Sequence, residues 1–115
     1  MQFFGYTLAD ESAPMPELSP ERMAAMGTFV QEAMDAGVIL ATGGMAPTGM
    51  GKKVTLTDGE YAVVDGPFAE AKEIVGGWVL YDVESMDDAV AWSKRFLDVL
   101  GHDAEVRIRP TFGPE

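Results

Sequence analysis

The chain has 115 residues and a net charge of -11, from eight basic and nineteen acidic side chains. This acidic balance excludes a nucleic-acid binder that works through a basic face, and it disfavours anionic membrane surfaces. The absence of cysteine excludes disulfides, thiolate catalysis and cysteine-based metal sites, and the single histidine, His102, leaves no histidine pair for a metal.

The first half of the chain predicts a strand, a helix and a second strand. Residues 2–8 are rich in aromatic residues and predict the first strand. Ser19 is a suitable N-cap for a helix that begins at Pro20 and stops at Gly37. A short buried strand is predicted over residues 38–41, followed by a mobile loop with glycines at 43, 44, 49 and 51. The apolar stripe of the helix, at steps of three and four residues, is Met23, Met26, Phe29, Val30, Ala33 and Met34.

The second half begins with a hairpin. Residues 52–57 and 60–64 predict two strands joined by Asp58-Gly59, a dipeptide that suits the positive φ angles of a type I′ turn. Residues 76–83 predict the next strand. A second helix is expected from Ser85 to Gly101, and residues 104–110 predict a last strand with alternating apolar and basic side chains.

This order of elements, β–α–β, hairpin, β–α–β, predicts a single domain over residues 1–115. The expected fold is α+β and ferredoxin-like, with one mostly antiparallel sheet and two helices on one face. Because a large apolar sheet face does not stay exposed to water in a monomer, we expect a symmetric homodimer that packs sheet to sheet. Bulky side chains on both sides of the central strands support this expectation: Phe3, Phe4, Tyr6, Trp78, Val79, Leu80 and Tyr81.

Residues 63–78, VVDGPFAEAKEIVGGW, resemble the YCII-related superfamily, specifically its DGPF-domain branch. The resemblance rests on DGPF at residues 65–68, on the charged residues that follow, and on the glycine pair at 76–77 before an aromatic residue. It extends over nearly the whole chain, to SPE at residues 19–21, the Asp58-Gly59 hairpin, DDAVAW at residues 87–92 and the terminal Arg109-Pro110.

The resemblance implies a dimeric ferredoxin-like α+β barrel. Most members of the family have no assigned reaction, and several relatives lie beside, or are fused to, sigma-factor-like regulators. Two departures stand out: Ala71 replaces the usual threonine, and an apolar position near Met26 replaces the histidine that pairs with an aspartate in shorter relatives. The His–Asp chemistry of those relatives is therefore not carried over to this chain.

Asp65 is the candidate catalytic residue, because it ends a predicted strand just before a Gly-Pro turn. A partly desolvated carboxylate at such a position can act as a general acid or base. The alternative is that Asp65 caps the turn through its own backbone. Gly66 and Pro67 are expected to shape the turn, and Phe68 to fill the core or the dimer seam. On the catalytic interpretation, the turn places Asp65 at the mouth of a cleft beside the partner subunit.

Three further residues are candidates for ligand binding: Glu70, Lys72 and Arg109. Arg109 can hold an anion through its bidentate guanidinium, or it can form an ion pair with a local acid. Glu70 and Lys72 either line a pocket or belong to a solvated charge cluster. His102 is expected at the surface after the second helix. The glycine-rich loop matches no nucleotide-binding motif, and we expect no metal and no cofactor.

Two functions remain open from the sequence, with a cytoplasmic location as the default for either. The first is a homodimeric enzyme or binding protein for a small anionic molecule, with Asp65 as acid or base and Arg109 or Lys72 orienting the anion. The second is a non-catalytic module that senses a ligand or docks on a sigma-factor-like regulator of transcription.

Overall fold

The computed structural model describes residues 1–9, 17–67 and 74–113. The chain is α+β, and among the described residues no helix is long and apolar enough to cross a membrane. A one-turn 3-10 helix, Thr48–Met50, separates the second strand from the third. The other elements are β1 (Gln2–Ala9), α1 (Pro20–Asp35), β2 (Ile39–Gly44), β3 (Lys52–Thr57), β4 (Glu60–Asp65), β5 (Ile74–Asp82), α2 (Met86–Leu100) and β6 (Val106–Pro110).

Four strands form a sheet in the order β2-β5-β1-β6, with antiparallel pairing between neighbours. Phe3 lies opposite Tyr81, and the next residue along, Phe4, lies opposite Leu80. Because successive side chains of a strand point to opposite faces, these two pairs mark the two sides of the sheet. β3 and β4 form a separate two-stranded sheet, and this hairpin makes no extensive contact with any other described helix or strand.

The helix ends follow their predicted capping residues. The backbone N–H of Arg22 donates to the Ser19 hydroxyl at 3.2 Å, and the backbone N–H of Asp88 donates to the Ser85 hydroxyl at the same distance. Gly101 ends α2 in the left-handed region, with φ of 78°. Both helix starts and the end of α2 are therefore set by residues within one turn of the boundary.

The predicted hairpin turn is also confirmed, since both of its central residues have positive φ angles, 52° at Asp58 and 80° at Gly59. The prediction for the glycine-rich loop is partly wrong. β2 runs on to Gly44, so Gly43 and Gly44 belong to a strand. Pairing with β5 accounts for this, because partners across a sheet override the weak strand preference of glycine.

The apolar stripe predicted for α1 is buried only in part. Phe29 and Ala33 are buried and Met26 is half-buried, whereas Met23 and Met34 are 62% and 40% exposed. The helix therefore contacts the sheet along a narrower line than its sequence pattern indicates, and Met23 and Met34 lie outside the buried part of the stripe.

The core lies between the two helices and the Phe3 side of the sheet, which we call the helix-covered face. Ala33 on α1 and Ala89 on α2 are both fully buried against it. Tyr81 is also buried there, and its hydroxyl lies 2.9 Å from the hydroxyl of Ser93 on α2. Burial raises the pKa of the Tyr81 phenol above its ordinary value of 10.0, and the hydrogen bond to Ser93 acts in the opposite direction.

We expect the Tyr81–Ser93 pair to be coupled in a double-mutant cycle. Ser93→Ala leaves a buried phenol without a partner and lowers the free energy of unfolding by about 1–3 kcal/mol. Tyr81→Phe leaves the Ser93 hydroxyl without this partner, but that hydroxyl can bond to the helix backbone instead. Tyr81→Phe therefore lowers the free energy of unfolding by less than Ser93→Ala does. The double variant loses less than the sum of the two, measured by urea denaturation. Strictly additive losses would contradict a hydrogen bond between these two hydroxyls.

Candidate functional site

Asp65 ends β4 and lies directly opposite Lys52, the first residue of β3. The Lys52 ammonium donates to the Asp65 carboxylate in an ion pair. The two side chains are 64% and 77% exposed, so water screens their attraction and the pair adds little stability. The carboxylate is therefore a solvated group at the base of the hairpin and not a desolvated one in a cleft.

The glycine of the DGPF turn is explained by close packing. The backbone N–H of Gly66 donates to the carbonyl of Gly51 at 2.9 Å. A Cβ atom at position 66 would lie 1.7 Å from the carbonyl oxygen of Thr48, which is far inside van der Waals contact. Any side chain there would push the 3-10 helix away from the hairpin base. Pro67 follows through a cis peptide bond.

The rest of the turn lies outside the described residues. Phe68, Glu70, Ala71 and Lys72 all fall between the described ranges 17–67 and 74–113. The roles predicted for Glu70 and Lys72 in ligand binding therefore stay predictions.

Arg109 lies on the face of the sheet that the helices leave open, opposite Phe4 in the β1–β6 ladder. Its neighbour two residues back, Arg107, donates to the Glu105 carboxylate at 2.5 Å. The Arg109 side chain is exposed and makes no ion pair with any residue in the described part of the chain. The ion pair considered as its alternative role is thus absent among the described residues.

Aromatic side chains lie on the same open face as this arginine, and one of them, Phe4, is its partner in the ladder. The ring centroids of Phe4 and Trp78 are 6.3 Å apart with an interplanar angle of 16°, and those of Phe4 and Tyr6 are 5.9 Å apart. The register places Tyr6 opposite Trp78 on the same side as Phe4. We call this cluster of Phe4, Tyr6, Trp78 and Leu80 the aromatic face.

The structure does not bring the two candidate residues, Asp65 and Arg109, together. Asp65 belongs to the two-stranded sheet and Arg109 to the four-stranded sheet. The residue that the structure adds to the site is Lys52. The sequence contained a signal for it, because a two-residue turn at Asp58-Gly59 fixes the pairing of all residues equally distant from the turn, including Lys52 and Asp65.

The remaining candidates do not extend the site. His102 is half-buried after α2, and its Nδ1 lies 3.0 Å from the backbone carbonyl of Asp103. Among the described residues, no three His, Asp or Glu side chains are grouped closely enough to hold a metal ion. A cavity of about 280 Å³ lies between the helices and the sheet, but neither Asp65 nor Arg109 lines it.

Comparisons with known proteins agree with the resemblance at the superfamily level. The model of the YCII-related domain matches residues 1–111. An uncharacterized protein of Rhizobium meliloti (strain 1021) is 30% identical over 77 residues, which make up 67% of this chain. The match spans 62% of that protein's length. Membership of the narrower DGPF branch stays a prediction, whereas the match over nearly the whole chain shows that the protein belongs to the YCII-related domain family.

Proposed function

We propose that the protein is a homodimer of the dimeric α+β barrel type, and that it binds a small anionic molecule where the DGPF turn of one subunit approaches the aromatic face of the other. The strand order β2-β5-β1-β6 supports a ferredoxin-like subunit. Without the β3–β4 hairpin, the elements follow the β-α-β-β-α-β pattern of that fold.

The observation that carries this proposal is the uncovered aromatic face. Phe4, Tyr6, Trp78 and Leu80 are only half-buried, and no described helix packs on their side of the sheet. Contiguous apolar surface of this kind marks an interaction site. A second copy is the best occupant, because packing on a two-fold axis covers the same apolar face in both subunits at once.

The hairpin gives independent support for a second copy. Its strands carry apolar side chains on one side, and all of them are exposed: Val54 (65%), Leu56 (60%), Tyr61 (78%) and Val63 (60%). The Cα radius of gyration is 16.4 Å, whereas a compact chain of this length has a value of about 13 Å. A hairpin that extends from its own subunit can bury its apolar side against the partner.

The binding of an anion in this proposal depends on the charged side chains beside the aromatic face. The partner subunit excludes water from this face, and a guanidinium binds a carboxylate or phosphate more strongly in such a setting. Arg109 is the anion-binding group in this proposal. Asp65 reaches the same place from the partner's hairpin and supplies acid or base chemistry once it is partly desolvated, with Glu70 and Lys72 on the same turn as further contacts to the ligand.

A non-catalytic interaction module is the second candidate, and the exposed hairpin favours it. The apolar side of β3 and β4 and their free edges suit a protein partner that adds a strand or covers the hairpin. A sigma-factor-like regulator is the partner implied by the family resemblance. In that case Asp65 serves the turn alone, and the anion site on Arg109 is absent.

We expect Leu80→Glu to break the dimer, because it places a charge in the centre of the aromatic face. Light scattering and sedimentation at micromolar concentration should give a dimer for the unaltered protein, and a dissociation constant raised at least about tenfold for the variant. Met23→Glu is the matched control, since it makes the same change at an exposed apolar residue of α1. A monomeric unaltered protein, or equal effects of the two variants, would refute the interface.

We expect Arg109→Gln to weaken the binding of benzoate, used as a small anionic probe, by at least about tenfold in calorimetric titration. Arg107→Gln is the matched control on the same face of the same strand, where the arginine is already engaged by Glu105. It should change benzoate affinity less than about threefold. Similar losses in the two variants would mean that benzoate responds only to the general charge of the protein.

The position of Asp65 relative to the anion is tested by charge removal. If Asp65 lies beside the ligand on Arg109, Asp65→Asn should strengthen benzoate binding about two- to fivefold at low salt, because it removes a repulsive charge. Asp58→Asn removes the same charge at the far end of the hairpin and suits the positive φ there, so it serves as the control. Equal responses in the two variants would assign Asp65 to the turn alone.

A further inference from the structure

We infer that the cavity between the helices and the sheet is a second binding site, which takes a small, uncharged and mainly apolar molecule. The cavity has a volume of about 280 Å³ and is partly open to solvent. Its lining comes from both helices and from the helix-covered face of the sheet, and includes Thr7, Met26, Phe29, Gly77, Val79 and Phe96. Most of this lining lies on the opposite side of the sheet from Arg109.

Two glycines of the central strands line the cavity. Gly5 lies opposite Val79, and Gly77 lies two residues before it on the same face of β5. Neither glycine contributes a side chain to the cavity. The side chains of Val79 and Val106 close in beside Gly5, where a Cβ atom would lie 3.0 Å from a Val79 methyl carbon. Phe3 and Tyr81 fill the other end of the helix-covered face. A Cβ atom at position 77 would already lie 3.3 Å from the Thr7 hydroxyl.

The helices are held over the cavity by contacts between them. The rings of Phe29 and Trp92 are 6.0 Å apart, and the Arg95 guanidinium lies 4.5 Å above the Trp92 ring and bonds to Glu32 at 2.5 Å. Arg22 of α1 donates to the Val99 carbonyl of α2 at 3.1 Å. Because these contacts fix the spacing of the helices, the helices do not close the space above the sheet.

The lining decides which molecules fit. None of the described residues that line the cavity carries a charge, and nearly all offer hydrocarbon, so water finds few of the two to four polar partners it needs. Close-packed interiors seldom leave voids larger than one water molecule, and an apolar cavity of about half this volume is known to take benzene. A compact bicyclic molecule of roughly ten to fifteen non-hydrogen atoms therefore suits the space.

The Thr7 hydroxyl is the polar group that we assign to ligand recognition. The Thr7 hydroxyl oxygen accepts from the Gly77 N–H at 2.8 Å, and its own hydrogen has no acceptor among the described residues. The other threonine of the lining, Thr42, already donates to the Trp78 carbonyl at 2.7 Å. The preferred ligand therefore carries one hydrogen-bond acceptor, such as a ketone oxygen, and no charge.

Three probes test this inference on the full chain: tetralin, 1-tetralone and 1-naphthoate. By calorimetric titration of the Arg109→Gln variant, which lacks the proposed anion-binding group, 1-tetralone should bind about two- to tenfold tighter than tetralin, as one hydrogen bond predicts. It should bind at least about tenfold tighter than the charged 1-naphthoate. Thr7→Val should abolish the preference for 1-tetralone over tetralin, and Thr7→Ser should retain it. Nuclear Overhauser contacts from 1-tetralone to the methyl groups of Val79 and Val106 locate the bound molecule.

A blocking variant completes the test. Val106→Phe adds a ring at the side of the cavity and should weaken 1-tetralone binding at least about tenfold without lowering the melting temperature, because it fills a void. Val90→Phe, on the exposed side of α2, is the matched control and should leave binding unchanged.

Absence of saturable binding, or probe contacts to residues outside the lining, overturns the inference. Arg109→Gln should not affect 1-tetralone, so this site and the proposed anion site succeed or fail separately.

Discussion

The apolar surface that one subunit leaves exposed is the constraint on which the rest of the structure depends. Among the described residues, six apolar side chains are buried, whereas fourteen large ones are more than a third exposed. Hydrophobic burial is the main favourable term in folding, so a core of this size stabilises a chain of this length poorly by itself. The two helices cover one side of the sheet. How much the other side contributes to the stability of the fold depends on whether further apolar surface packs against it.

Features encoded within a few residues could be predicted from the sequence. Ser19, Ser85 and Gly101 define helix ends because a cap acts on backbone groups within one turn of itself. Asp58-Gly59 defines the hairpin because the turn selects its residues by φ angle. The same turn determines the Lys52–Asp65 pair, since a register set at one end of a hairpin extends to the other.

Features that depend on distant parts of the chain could not be predicted in the same way. The spacing of α1 and α2 above the sheet leaves Met23 exposed although its position in the helical pattern indicates burial. Pairing with β5 draws Gly43 and Gly44 into β2. The separation of Asp65 from Arg109 follows from the hairpin forming its own sheet, and no local pattern reports whether a hairpin joins a neighbouring sheet or extends away from it.

The central strands β1 and β5 distribute large side chains and glycines between their two sides in an unusual way. On the open side, Phe4 and Trp78 stack on each other. A Cβ atom at Gly43 of the edge strand β2 would lie 3.2 Å from the Trp78 ring nitrogen, so the glycine leaves room for that ring. On the helix-covered side, Gly5 and Gly77 carry no side chain and line the cavity. In most antiparallel sheets the bulky residues point to the core and the small or polar ones to water.

This distribution connects the two proposed sites. The alternation that places Phe4, Tyr6 and Trp78 on one side of β1 and β5 places Gly5 and Gly77 on the other. A shift of register by one residue would therefore exchange them and remove both proposed sites together. The antiparallel ladder between Gln2–Asp82 and Tyr6–Trp78 holds that register. The proposed dimer surface and the apolar cavity are therefore two consequences of the same strand pairing, although the partners proposed for them differ.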